Sequence, residues 1–495
     1  MEKKKVKVYF YIRTFGCQMN FHDSEKISGV LARSGFSEVS DEDKDRADII
    51  VFNTCSIRQK AEQKFFSELG RLKKLKRQRP GLKIAVAGCV AQQMGRELLR
   101  KAPFVDCIVG PQNIHSLGRI FSVPEAGPEG VSCRACAGGE ARLDRDVLID
   151  ENHQLASIEL PAARKKKPGA WVSIMYGCNN FCTYCIVPFT RGREVCRPSG
   201  SILDEIRRLA EEGFREVTLL GQNVNSYRNP APGGVDFPGL LEMADRIDGI
   251  SRIRFVTSHP RDLSEGLIEA IGGLEKLCEH VHLPLQSGSD AVLARMNRRY
   301  SFADYMGRIE RLRRRVPGIS ITTDIIAGFP GETEEDHEAT MTALRRIEFD
   351  GIFAFKYSPR PGTAASKFSG HLPDDVSARR LDEILALQDD ITLEKNRALV
   401  GTTEEVMVEG ADEKNADEKN KDRLAGRTRT NKTVNFFSAV PSGGADLSPG
   451  ALVSLEIIKA RRHSLEGELR VLEGELRAPG GETVSRANGG KTKKR

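Results

Sequence analysis

Short apolar runs recur along the first third of the chain, and each runs into a cysteine. Residues 6–17 (VKVYFYIRTFGC), 48–55 (DIIVFNTC) and 83–89 (KIAVAGC) read as strands ending at Cys17, Cys55 and Cys89. Between them, apolar residues at three- and four-residue steps over 23–34 and 58–79 predict helices. Strand–helix–strand alternation builds a parallel sheet with right-handed crossovers. The C-terminal ends of its strands line one edge, where ligands bind. Three cysteines placed there converge, and three thiolates can hold an iron–sulfur cluster with one open iron. A single cysteine at a strand end is often only a small buried hydrophobe. Three in the same setting read as ligands. Cys107, inside the apolar run 105–109, reads as core.

From residue 170 the alternation resumes. Runs at 171–175, 216–220, 252–256, 280–285, 319–326 and 351–357 predict strands. Patterns near 200–212, 237–247, 263–271, 289–296, 302–315 and 333–347 predict helices. Six such units predict a partial (βα)6 barrel, smaller than the eight-unit form. Polar loops follow the strands: Gly221 to Asn225, Thr257 to Pro260, Gln286 to Ser289 and Gly328 to Thr333. Arrayed after successive strands, they read as pocket walls at the barrel's C-terminal mouth. His259 and His282 read as hydrogen-bonded structural histidines. Asp324, a carboxylate within a strand, is a pocket candidate.

After a helical stretch near 376–399, short β-like runs at 404–409, 424–430, 433–437 and 451–458 predict a small β-barrel. Arg423, Arg427, Arg429, Lys432, Lys459, Arg461 and Arg462 give it a basic bias suited to RNA. Residues 121–168 lack periodicity and read as a connector, whose Cys133 and Cys136 read as free thiols because no matching second pair exists. The block Ala-Asp-Glu-Lys-Asn at 411–415 repeats at 416–420 and reads as a polar loop insertion. The last residues, rich in Gly and basic groups, read as disordered.

Composition adds compartment and solubility. The 495 residues are 39% hydrophobic and 29% charged, with net charge +7, which predicts a soluble, multi-domain chain. No run approaches a membrane span or a signal peptide, so a cytoplasmic location is expected. In a reducing cytosol, 11 cysteines read as metal ligands or free thiols before disulfides.

The densest chemistry lies just after the first barrel strand. Tyr176 to Cys185 reads Y-G-C-N-N-F-C-T-Y-C, which places Cys178, Cys182 and Cys185 in a C-x3-C-x2-C spacing. A cubane cluster usually takes four cysteines, and Cys196 is too far along the chain to complete the set. The missing ligand leaves one iron open, as a catalytic metal requires. The spacing also differs from the C-x2-C-x2-C run of ferredoxin-type electron carriers.

These residues resemble a known family. Thr14-Phe15-Gly16-Cys17-Gln18-Met19-Asn20 with Asp23-Ser24-Glu25, Asn53-Thr54-Cys55-Ser56-Ile57-Arg58 and Gly88-Cys89 resemble the N-terminal domain of methylthiotransferases. The cysteine motif, continued by Ile186 to Glu194, resembles their radical S-adenosylmethionine (SAM) core. His463 to Leu469 resembles the end of their TRAM domain, an RNA-binding β-barrel. Five segments follow from the resemblance: a methylthiotransferase N-terminal domain over 5–122, a connector over 123–163, a radical SAM domain over 164–395, a TRAM domain over 396–476 and a disordered tail over 477–495. The stretches 16–20, 55–62, 220–225 and 355–363 resemble the branch that acts on N6-isopentenyladenosine at position 37 of tRNA. The other branches take threonylcarbamoyladenosine in tRNA or a ribosomal-protein aspartate.

The resemblance implies that Cys178, Cys182 and Cys185 hold a 4Fe–4S cluster whose open iron binds SAM. Reductive cleavage of SAM then yields a radical that takes hydrogen from carbon 2 of the adenine. Cys17, Cys55 and Cys89 are implied to hold an auxiliary 4Fe–4S cluster carrying the sulfur, methylated by a second SAM. It further implies tRNA as partner, a flavodoxin or ferredoxin as electron donor, and a monomer. The Cys133/Cys136 connector, the duplicated pentapeptide and the long tail depart from the family pattern, and all lie outside its motifs.

Overall fold

The computed structural model describes residues 7–56, 59–122, 147–150, 159–164, 168–231, 233–412, 422–438 and 447–470. Cys133, Cys136, most of the connector, most of the duplicated pentapeptide and the 477–495 tail lie outside the described residues.

The N-terminal unit is an open parallel sheet. Its strands run Ser37–Glu38, Tyr9–Thr14, Ile49–Thr54, Lys83–Gly88, Cys107–Val109 and Val147–Leu148 in spatial order, each parallel to its neighbour. Every residue of Ile49–Thr54 is buried, because both faces of the sheet are covered. Ile50, Phe52, Ile84 and Val86 pack into one core, and Ile49, Val51, Ala85 and Ala87 into the opposite one. Cys107 sits in that second core, as expected of a small hydrophobe. The expected helices are Gln18–Arg33, which begins one turn earlier than the periodicity suggests, and Gln59–Gln78.

All six expected barrel strands form: Gly169–Ser173, Glu216–Leu220, Arg252–Phe255, His280–His282, Ser320–Ala327 and Gly351–Lys356. They make two parallel three-stranded sheets. The sheets are joined at a bridge between Ile253 and Leu277, where the Ile253 N–H donates to the Lys276 carbonyl at 2.7 Å. The first and last strands are not paired with one another, so the barrel is open. Val217, Leu219, Ile253, Phe255, Val281, Ile321 and Ile325 pack outward against the helices. Strand side chains alternate faces, so Trp171, Thr218, Arg254, His282, Thr322, Asp324, Phe353 and Phe355 point into the interior.

The N-terminal unit reaches both edges of this opening. On the first-strand side Lys26 Nζ lies 3.4 Å from Ser173 Oγ, and the Tyr176 hydroxyl donates to Asp23 at 2.6 Å. Beyond the last strand Arg360 pairs with Glu62 at 2.9 Å.

The helix Asp374–Arg397 leads into a closed five-stranded barrel: Thr403–Ala411, Arg423–Thr428, Thr433–Phe437, Leu465–Leu469 and Leu452–Ala460. This barrel stoppers the N-terminal end of the larger one. Arg254 donates to the carbonyls of Arg429 and Thr428 at 2.9 and 2.8 Å, and Arg252 to Glu405 at 2.8 Å. Most of the expected RNA-facing charge is spent on ion pairs: Arg429 with Glu279, Lys432 with Asp350, Arg427 with Glu409, Arg423 with Asp412, Arg461 with Glu466 and Arg462 with Asp389. Two of these, to Glu279 and Asp350, hold the barrel–barrel contact. Lys459 is exposed and has no ion pair among the described residues.

Candidate metal centres and active site

Strand register brings the first cysteine set together. Thr14 lies opposite Asn53, and Thr54 opposite Gly88. Cys55 and Cys89 therefore leave adjacent strands side by side. Cys17 follows the third strand and opens the helix Gln18–Arg33. Two asparagines tie these loops. Asn20 Oδ1 accepts from the Cys17 N–H at 3.4 Å and the Cys17 thiol at 3.3 Å, while its Nδ2 donates to the Thr54 carbonyl at 3.0 Å. Asn53 Nδ2 donates to the Asn20 carbonyl at 2.7 Å. A side chain at Gly16 would place Cβ 2.3 Å from the Cys55 Cβ, so only glycine lets the loops approach.

A buried arginine faces this set. Arg191 is 3% exposed and pairs with Asp23 at 2.6 Å, its guanidinium over the Tyr176 ring at 5.4 Å. Its Nη1 is buried and has no partner among the described residues. A hydrogen bond with Cys55 and the Arg191 charge pull the Cys17 thiol down to about 6, against the effect of burial. Burial raises Cys89, with Arg191 opposing.

The second set is local. The strand Met175–Tyr176 pairs antiparallel with Val195–Cys196 and closes the loop that carries Cys178, Cys182 and Cys185. Gly177 sits at φ +75°, where a Cβ would meet the Arg193 carbonyl at 2.0 Å. The Cys178 N–H donates to the Gly192 carbonyl at 3.2 Å and the Cys185 N–H to the Cys182 carbonyl at 2.9 Å. Arg298 spans the loop: it lies 3.4 Å from Cys182 Sγ and 3.3 Å from the Tyr184 hydroxyl, and donates to the Pro284 carbonyl at 2.8 Å. Burial pushes Cys185 up to about 12 and also raises Cys178.

Among the described residues, no three His, Cys, Asp or Glu groups close on one point as ligands of a single ion do. A cubane takes one thiolate per iron, so its ligands surround a body and not a point. Among the described residues each set offers three thiols and no fourth. The orphaned Arg191 Nη1 beside the first set suits an anionic sulfur-bearing group. Both sets therefore fit iron–sulfur clusters with an open iron.

The loops past the barrel strands carry unpaired buried polar atoms: Gln222 Nε2, Asn223 Oδ1, Ser258 Oγ, His259 Nε2 and Gln286 Oε1. Buried polar atoms are normally satisfied, so this array suits a polar ligand such as SAM. Thr257 and Gln286 hold positive φ of 68° and 74° in the same loops. The loop Gly328 to Thr333 differs. Its Glu332 is tied to Arg380 at 2.7 Å and to the Gly328 N–H at 3.1 Å, so it anchors the helix Asp374–Arg397.

His259 is half as expected: Nδ1 accepts from the Arg261 N–H at 3.2 Å, Nε2 is unpaired, and burial drives the ring down to about 2, keeping it neutral. His282 is bonded on both sides, Nδ1 to Thr322 at 3.0 Å and Nε2 to Asp324 at 3.4 Å. Arg191 and Arg298 were not singled out by sequence reasoning. Arg191 stands inside the family-like stretch 186–194; nothing local marks Arg298.

One member of each motif packs beside inward-facing barrel residues. Cys17 packs with Met19, Tyr176 and the inward-facing Trp171, Leu220 and Val256. Tyr184, between Cys182 and Cys185, packs against the cluster of Val292, Met296, Phe329 and Ala365, as does the inward-facing Ile326.

Comparison with known proteins agrees. A model of the uncharacterized protein family UPF0004 matches residues 9–110, the radical SAM superfamily residues 172–344 and the TRAM domain residues 397–469. The tRNA-2-methylthio-N(6)-dimethylallyladenosine synthase of Thermodesulfovibrio yellowstonii is 51% identical over 459 residues, covering 93% of this chain and 98% of that protein. The synthase of the same name from Syntrophus aciditrophicus is 48% identical over 463 residues, covering 94% and 95%. The solved radical SAM methyltransferase TsrM from Kitasatospora setae, with cobalamin and a 4Fe–4S cluster bound, superposes with a TM-score of 0.48 at 14% identity over 73% of this chain and 77% of that one. The chain belongs to the radical SAM family of tRNA-2-methylthio-N(6)-dimethylallyladenosine synthases.

Proposed function

We propose that this chain methylthiolates carbon 2 of N6-isopentenyladenosine at position 37 of tRNA, using two SAM and two 4Fe–4S clusters. What supports the reading is that Cys17 of one set and Tyr184, inside the other, pack against clusters that include inward-facing barrel residues. Cys178, Cys182 and Cys185 hold the SAM-binding cluster, and Cys17, Cys55 and Cys89 the auxiliary one. When bound, these groups supply one-electron cleavage of SAM and an open iron for sulfur, chemistry that no acid–base pair provides at an aromatic C–H bond.

The chain's own residues position and shield. Gly177 and the Gly192 carbonyl shape the local loop, and Arg298 clamps it to the barrel wall. Gln222, Asn223, Ser258 and Gln286 present polar atoms to the amino-acid and ribose groups of SAM. Arg191 presents Nη1 to negative charge at the auxiliary site, and Asp23 fixes its direction. The small barrel closes the far end of the interior against water.

Within this reading, 5–122 carries the auxiliary site, 164–395 the SAM site and 396–476 the RNA-binding barrel, with 123–163 a connector and 477–495 a tail. No helix among the described residues is long and apolar enough to cross a membrane. The enzyme works in the cytoplasm as a monomer and takes electrons from a flavodoxin or ferredoxin. Nucleoside mass spectrometry of tRNA from a deletion strain tests the reading. Methylthio-isopentenyladenosine should vanish and isopentenyladenosine accumulate; an unchanged profile would overturn it.

A further inference from the structure

The inner face of the last two barrel strands carries two large exposed aromatics. Phe353 is 52% and Phe355 41% exposed, although their neighbours Ile352 and Ala354 pack against the buried core behind the strand. Cross-strand pairing sets Asp324 beside Phe353 and Ile326 beside Phe355. Asp324 is half-buried, and its carboxylate lies 3.4 Å from His282 Nε2. The His282 ring stands edge-on to Phe353 at 5.9 Å between centroids, and Thr322 holds it from the other side. The face is thus a polar strip against an apolar one.

Its position matters as much as its chemistry. Ile326 and Tyr184 of the cysteine motif pack against one buried cluster, Val292, Met296, Phe329 and Ala365, which links this face to the loop that carries Cys182 and Cys185. Across the interior, Trp171, Leu220 and Val256 lie under Cys17. A group resting on Phe353 and Phe355 would lie inside the barrel, on the wall formed by its last two strands.

We infer that Asp324, Phe353 and Phe355 form the seat of an extruded N6-alkylated adenine. The two phenylalanines take the branched alkyl group, and Asp324 accepts the remaining N6–H. Enzymes that modify a base take it out of the stack and read it by stacking and by hydrogen bonds to its edge. An adenine with an aliphatic tail has one polar edge and one apolar arm, and this face has one of each. The inference rests on the function proposed above.

The test is binding of synthetic anticodon stem-loop RNA, carrying either dimethylallyladenosine or adenosine at position 37, to the cluster-loaded full chain. The wild type should favour the alkylated RNA. The double variant F353A/F355A should lose about ten-fold of that preference, the scale of a deleted apolar contact, with little change for unmodified RNA. F353L/F355L, which keeps the surface apolar, should retain most of it. Asp324→Asn should weaken both RNAs alike and leave the ratio intact. A wild-type ratio in F353A/F355A would overturn the seat while leaving the tRNA reaction standing. A wild type without preference, together with unchanged tRNA nucleosides in the deletion strain, would overturn both.

Discussion

The two cysteine sets are assembled by opposite routes. Cys178, Cys182 and Cys185 are close in sequence and held by a short antiparallel pair, one left-handed glycine and Arg298. Cys17, Cys55 and Cys89 come from three βα units and meet only because a parallel sheet aligns its strand ends. The local set is a motif; the distributed set is a property of topology. Their electrostatics differ too. Burial raises Cys178 and Cys185, whereas Cys17 is lowered by its bond to Cys55 and the charge of Arg191. The Cys17 thiol is thus tuned from across a domain boundary, since Arg191 follows the first barrel strand and Asp23, its partner, lies on the helix Gln18–Arg33 of the N-terminal unit.

The largest effects test the division of labour. Cys182→Ala should abolish SAM cleavage, a loss of at least about a thousand-fold or roughly 4 kcal/mol of barrier. Cys55→Ala should keep SAM cleavage and end methylthiolation. Quantifying 5′-deoxyadenosine and the methylthio nucleoside in parallel separates the two, and equal loss of cleavage would erase the contrast.

Next comes the joint between the regions. Asp23→Asn leaves a buried guanidinium unpaired and should cost about 3–5 kcal/mol in thermal or denaturant unfolding. Unchanged stability would mean that the sheet and the barrel do not depend on this pair. Lys26, at the same joint, is held down to about 8 by burial. Its folded form sheds a proton that the unfolded chain keeps up to about 10.4. Stability should therefore rise with pH between those values, by up to about 3 kcal/mol, and the slope should flatten in Lys26→Met.

The smallest change is a control far from both sites. Ser301 caps the helix Phe302–Arg315, accepting from the Asp304 N–H at 3.1 Å. Ser301→Ala should cost about 1 kcal/mol. Iron content should not move, and if it fell as far as in Cys55→Ala, general destabilisation would explain cluster loss.

Much of this was legible from apolar runs, because buried parallel strands are nearly continuous in Val, Ile and Leu. Ile49–Thr54, Glu216–Leu220 and Gly351–Lys356 lie where the pattern puts them. The break between Arg252–Phe255 and His280–His282 was not legible, since it concerns the hydrogen-bond ladder and leaves the side-chain pattern intact. Nor were the two-residue strands Ser37–Glu38 and Val147–Leu148. The charge of the small barrel was only partly legible for a related reason. Its counter-charges, Glu279, Asp350 and Asp389, sit in other elements, and composition counts charges without their partners. The placement of the six cysteines, three past parallel strands and three in one loop, was legible. The arginines beside them were not, because Arg191 approaches Cys17 through a fold contact.

Iron and sulfide content per chain tests the central claim of two separate centres most directly. The account predicts about eight of each in the reconstituted wild type, and about four when Cys178, Cys182 and Cys185, or Cys17, Cys55 and Cys89, are all changed to alanine. A wild type holding about four, lost entirely in either triple variant, would mean one shared cluster and would contradict it.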